Sequence, residues 1–152
     1  MQREYEVIIA DTSCLILLEK IGELDLLKSI FGNVTITNEI VREFGSDLPE
    51  WFTVRSVSNS NLRHDFDLDP GEASAIALAL ELDSVLVILD DYKARKVAQR
   101  IGLAISGTLG VVLRAKRLNM IGSVRPLLEK IQQTNFRYSQ KVFDQILFLA
   151  GE

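Results

Sequence analysis

Cysteine and histidine are almost missing from this chain, with Cys14 and His64 the single examples of each. A disulfide framework is therefore excluded, as is a zinc site built on the usual cysteine and histidine spacing, and a reducing cytoplasm is the expected setting. No apolar run approaches the length needed to cross a bilayer. The polar start Met1-Gln2-Arg3-Glu4 runs straight into a strand-like segment, so no secretion signal is expected. Positive charge is not in excess either: 17 Lys and Arg stand against 21 Asp and Glu, a net charge of −4. That balance argues against coating nucleic acid through bulk electrostatics. It is compatible with an enzyme that grips one short stretch, because acids gathered at a site lower the net charge while metal ions offset them locally. Repeats, linkers and low-complexity segments are absent. With 47% hydrophobic residues in 152 positions, one buried core and one domain over residues 1–152 are expected.

What is present is an alternation of short apolar runs with helical patterns. Val7-Ile8-Ile9-Ala10 reads as a strand buried on both faces and Val85 to Leu89 as another buried strand, with Val34-Thr35-Ile36 and Leu103 to Ser106 as further strands. Trp51 to Val57 alternates at period two, as an edge strand or a hairpin arm would. Between them the pattern predicts helices: one from Cys14 capped by Ser13, one carrying Leu24, Leu27, Ile30 and Phe31, and one capped by Thr37 or Asn38 and running to Phe44. Asp69-Pro70-Gly71-Glu72 has a capping acid, proline at the first helical position and glutamate three after the cap, opening a helix to about Leu82. Further helices are expected over Tyr92–Ile101, from near Thr108, and twice between Ser123 and Glu152, with Ser58 to Leu68 as an exposed loop. This alternation predicts an α/β protein, a three-layer α/β/α sandwich around a parallel sheet of four to five strands.

In such sheets ligands bind beyond the carboxyl ends of the strands. Asp11 follows the first strand, Thr37 the second, Asp90 and Asp91 the fourth, and Ser106 and Thr108 the fifth, while Glu72 opens a helix near the same edge and Glu39 and Glu43 follow the second strand. Acids from four segments thus converge where like charges repel unless a cation offsets them. A hard divalent ion suits such oxygen ligands, using one or two carboxylates together with substrate phosphate.

Four segments resemble the PIN (PilT N-terminus) domain ribonucleases, which include VapC-type toxins. They are Asp11-Thr12-Ser13, Glu43 on the helix after the second strand, Gly71-Glu72-Ala73-Ser74, and Leu89-Asp90-Asp91 followed by Ser106-Gly107-Thr108. The likeness spans nearly the whole chain. It implies an endoribonuclease dependent on Mg²⁺ or Mn²⁺, with Asp11, Glu43, Glu72 and Asp91 as metal-holding catalytic acids and Thr12, Ser13 and Asp90 organising them from behind. Water is the attacking group, so no side-chain nucleophile is required. RNA is the implied substrate, and an antitoxin and a second copy of the chain are the implied partners. The chain departs from the family in having Leu89 two residues before Asp91, where threonine or serine is common, and in having Glu72 for the usual aspartate.

Each acid also has a plainer reading. Asp11 can cap the first helix, Glu72 fits a capping box, and Asp90 and Asp91 favour the positive end of a helix. Glu39 stands one turn from Glu43 and is the alternative second acid. Arg95, Lys96, Arg100, Arg114, Lys116 and Arg117 either meet RNA phosphates or simply solubilise helix faces. His64 is read as surface and Cys14 as core. Rival functions are a receiver or haloacid-type phosphatase, whose acidic pair would follow the first strand rather than the fourth, and a dinucleotide-binding fold, which would need a glycine-rich turn in place of Asp11-Thr12-Ser13. A family member retained as an RNA- or protein-binding module without cleavage is the non-enzymatic alternative. Phe143, Ile146, Leu147 and Leu149 fit either the core or a homodimer.

Overall fold

The computed structural model describes residues 4–59 and 66–152; His64 and part of the expected loop lie outside them. Five strands, β1 (Val7–Ala10), β2 (Val34–Thr37), β3 (Phe52–Arg55), β4 (Val85–Ile88) and β5 (Ala104–Ser106), form one parallel sheet in the order β3-β2-β1-β4-β5. Consecutive residues of β1, β2 and β4 are buried, which a strand achieves only when helices cover both of its faces. The chain builds outward from β1 to β3, then returns to the far side of β1 for β4 and β5. The strand order therefore reverses between β1 and β4, and a ligand crevice is expected at their carboxyl ends.

Eight helices complete the described residues: α1 (Thr12–Lys20), α2 (Asp25–Phe31), α3 (Asn38–Phe44), α4 (Pro70–Leu80), α5 (Tyr92–Ile101), α6 (Thr108–Arg117), α7 (Arg125–Gln132) and α8 (Gln140–Leu149). Gly71 to Ala79 of α4 are all buried. Its small residues, Ala73, Ser74, Ala75, Ala77 and Ala79, let it lie close across β1, β2 and β4. Truncating a fully buried strand side chain, such as Ile9 or Ile88, would cost about 2–5 kcal/mol.

Three local expectations are refined. Helix α1 starts one residue before the expected cap, because Asp11 holds the extended backbone and its carbonyl already accepts Leu15 N–H at 3.3 Å. Ser13 is thus inside the first turn. The period-two segment is an edge strand parallel to β2, not a hairpin arm, and its three outer residues are exposed. On α8, Leu147 is buried with Phe143 and Ile146 packed against the core, whereas Phe148 is 82% exposed and Leu149 partly so.

A chain of hydroxyls ties the end of β2 to the opening of α4. Ser74 Oγ donates to Gly71 O at 2.8 Å, so its single hydrogen is committed, and Thr37 donates to Ser74 at 2.7 Å while accepting Ile40 N–H at 3.2 Å. All three contacts are buried. Thr37→Val keeps the shape and removes both bonds, leaving the helix cap unmet. It is expected to lower unfolding free energy by about 1–3 kcal/mol, read as a shifted urea midpoint with unchanged slope.

Candidate metal centre

Asp11 continues the ladder one residue past β1, its N–H donating to Ile88 O at 3.1 Å. Its carboxyl group is thereby set at the seam where the strand order reverses. Asp11 is only 2% exposed, and its Oδ1 is buried with no hydrogen-bond partner among the described residues. Burial pushes its pKa up from 3.8 to about 7; the Thr12 N–H opposes this, and repulsion from Asp69, Glu43 and Asp90 adds to it. A carboxylate in this position is short of a cation.

Glu43 reaches the same place from the last turn of α3. Thr12 Oγ1 donates to its Oε1 at 2.6 Å, and the Gly71 N–H donates to its Oε2 at 3.1 Å. These bonds bring the first turns of α1 and α4 onto one carboxylate. The absence of a side chain on Gly71 is what admits it, since a Cβ there would lie 1.9 Å from Glu43 Oε1. Glu39 pairs with Arg42 at 3.5 Å. Glu43 adds to the repulsion felt at Asp11.

Asp69 caps α4 by accepting Glu72 N–H at 3.0 Å. Glu72 is buried, and its pKa is raised by that burial, then by Asp69, Asp11 and Asp91. A proton on Glu72 is further favoured by a hydrogen bond to Asp69. Capping therefore explains Asp69 without explaining Glu72. Asp69 is the acid that sequence reasoning left out: its cap role accounted for it completely, and only the close approach to Asp11 and Glu72 reveals it as part of the cluster.

After β4 the two aspartates divide their tasks. Asp90 accepts the Thr108 N–H at 2.7 Å and its hydroxyl at 2.5 Å, fastening the start of α6 to the sheet. Both its oxygens accept hydrogen bonds from Thr108. Asp91 caps α5 through Oδ2, which accepts Ala94 N–H at 3.0 Å, and it is exposed beside Glu72. Thr12 contacts Glu43 directly, whereas Ser13 is exposed and makes no side-chain hydrogen bond among the described residues.

The sequence motifs now share one edge of one sheet. The profile of the PIN domain family matches residues 7–152. The chain belongs to the PIN domain family. A search of curated proteins finds no match. PIN domains are generally nucleases and typically use divalent metals, so the donor set of this one can be tested against such an ion. The nearby donors are carboxylate oxygens, suited to Mg²⁺ or Mn²⁺, and the orphaned Asp11 oxygen lies among them. Among the described residues no three acidic side chains converge within reach of a single ion. A Mg²⁺ ion needs only one or two and completes its shell with water and phosphate, so the donor chemistry fits.

The remaining candidates of this PIN domain separate by position. Arg95 is held by Leu89 O at 2.8 Å, Arg114 by Glu4 at 2.8 Å and Lys116 by Glu152 at 3.2 Å. Arg114, Lys116 and Arg117 lie at the far end of α6, roughly 9–14 Å along its axis from Thr108, and Arg100 is similarly distant from Asp91. Lys96 is in the second turn of α5, which Asp91 caps. The Cys14 thiol is fully buried and burial raises its pKa, as a core residue. A cavity of about 660 Å³ lies toward the amino ends of β1 and β2, lined by Tyr5, Phe31, Thr35, Thr53, Arg55 and Arg114 among others. None of the clustered acids lines it, and the chemistry argues for the opposite edge. No helix among the described residues is long and apolar enough to cross a membrane.

Proposed function

We propose that this PIN domain is a Mg²⁺- or Mn²⁺-dependent endoribonuclease. The observation that carries the reading is the buried, partnerless oxygen of Asp11, set among Glu43, Asp69 and Glu72 at the strand-order reversal. Asp11, Glu43, Glu72 and Asp91 would hold one or two ions, and a divalent ion there supplies charge neutralisation for the phosphodiester and activation of water. Thr12 and Gly71 fix Glu43, and Asp90 fixes the start of α6 through Thr108. Asp69 favours a proton on Glu72 until a cation displaces it. The proposal includes a toxin role, with an antitoxin covering the acidic edge, and a homodimer through the exposed Phe148 and Leu149 of α8.

A binding module without cleavage is the second reading, favoured by the capping bonds that already occupy one oxygen of Asp91 and both of Asp90. Incubation of labelled single-stranded and structured RNA with Mg²⁺, with Mn²⁺ and with a chelator separates the two. The ribonuclease reading expects metal-dependent cutting that falls at least about 10³-fold in Asp91→Asn, a loss near that of other single groups central to catalysis. Equal cutting by wild type and variant would remove the assignment of the site.

A further inference from the structure

The proposed cleavage site has an exposed aromatic ring at its edge that the fold does not use. Tyr92 directly follows Asp91 as the first residue of α5, and it is 72% exposed. It contributes little to the core. Lys96, one turn further on, places its Nζ over the ring at 5.1 Å from the centroid. Lys93 on the same turn makes a surface ion pair with Asp67 at 3.0 Å, in the segment leading into Asp69 and α4. Tyr92 opens α5 directly after Asp91, and α5 packs against α4, so the ring belongs to the carboxyl edge of the sheet that carries the acids.

A helix-surface contact between residues four apart explains why Lys96 lies over Tyr92. It does not explain why a large ring is left bare at the acidic edge. Two chemical demands of the substrate do. An acidic cluster repels a phosphodiester backbone, so a cation near the entrance is needed where the net charge of the chain is −4. A nucleotide beside the cut must also be held still, and an aromatic face does this for any base through stacking.

On the ribonuclease reading of this site, we propose that Tyr92 and Lys96 form the subsite for the nucleotide next to the cleaved bond. The base stacks on the open face of Tyr92, and Lys96 meets the phosphate of that nucleotide. Stacking requires a base free of its helix, so the substrate class is RNA that is unpaired at the cut. A base held in a duplex has both faces covered and cannot enter.

The test uses the full chain and a single-stranded oligoribonucleotide carrying 2-aminopurine, whose fluorescence is quenched by stacking, with the same strand in a duplex for comparison. Quenching and cleavage are followed for wild type, Tyr92→Ala, Tyr92→Trp and Lys96→Gln, with Mn²⁺ affinity measured on each. The expected result is quenching by the wild type on the single strand only. Tyr92→Ala should raise KM roughly tenfold with little change in kcat or Mn²⁺ affinity, and Tyr92→Trp should restore it. Lys96→Gln should flatten the salt dependence of binding by about 0.7 in the log–log slope. Cleavage by the wild type with no effect of Tyr92→Ala on KM or quenching overturns the subsite and leaves the ribonuclease intact. Tyr92-dependent quenching without cleavage by any protein keeps the subsite and removes the hydrolytic reading. Equal affinity and cutting for strand and duplex overturns the unpaired substrate class, and a parallel loss of Mn²⁺ affinity in Tyr92→Ala overturns the ring's role as a base platform.

Discussion

Asp11→Asn is expected to abolish RNA cleavage and, in the same protein, to make the metal-free fold more stable. The carboxyl group of Asp11 is buried, one oxygen has no partner, and its pKa is raised to about 7 from 3.8. The folded state therefore holds a proton between about pH 4 and 7 that the unfolded state has released. Unfolding free energy then falls as pH rises through that window, and above it the full cost of the buried charge is present. With a tenfold change in proton affinity worth about 1.4 kcal/mol, that cost is on the order of 4 kcal/mol. Asparagine removes it, and its amide can donate toward the neighbouring acids. Thermal unfolding without metal should show the variant melting roughly 10 °C above wild type at pH 8 and close to it at pH 4. Added Mg²⁺ should raise the wild-type melting temperature at pH 8, since it binds only the folded form, and leave the variant unmoved. A variant that is less stable than wild type at pH 8 would mean that Asp11 is satisfied by bonds within the fold.

Gly71→Ala is expected to reduce cleavage by at least about 10²-fold while leaving stability unchanged or slightly raised. The added Cβ would stand 1.9 Å from Glu43 Oε1 and 2.7 Å from its Cδ. The obstacle is the far end of a flexible side chain, so the backbone need not move and Glu43 withdraws. It then loses Thr12 and the residue 71 N–H together. Alanine in the first turn of a helix offsets part of this, being up to about 1 kcal/mol better than glycine in helices. The double variant with Glu43→Ala separates this route from a general disturbance. Once Glu43 is gone the added methyl has nothing to displace, so the double variant should match Glu43→Ala alone. Losses that multiply would show that Gly71 acts by another path.

Much of this arrangement is legible in residues read alone, because apolar runs with β-branched residues can only be strands covered on both faces, and the residue after such a strand must lie at its carboxyl edge. Asp11, Asp90 and Asp91 are placed by that rule before any coordinates. Helix boundaries follow where a side chain closes the cap, as Thr37, Asp69 and Asp91 do. Ser13 misled because a hydroxyl in a first turn looks the same in sequence as one just before it; the carbonyl of Asp11 decides the matter through Leu15. Choosing between Glu39 and Glu43 needs the third dimension. Both lie on α3, and only the approach of α1 and α4 selects the one that Thr12 and Gly71 can reach. The division between Asp90 and Asp91 comes from the family resemblance alone, since adjacent carboxylates carry no mark of which one faces Thr108. Asp69 and Tyr92 were passed over because each has a complete local explanation, a cap and a helix-surface ring, that conceals its position at the acidic edge.

The most direct measurement is titration of the metal-free protein with Mn²⁺, with free ion followed by electron paramagnetic resonance, for wild type and Asp11→Asn at pH 8. The account predicts one or two bound ions per chain in the wild type and at least a tenfold loss of affinity in the variant. Equal uptake by both proteins, or none by the wild type at millimolar Mn²⁺, would contradict it.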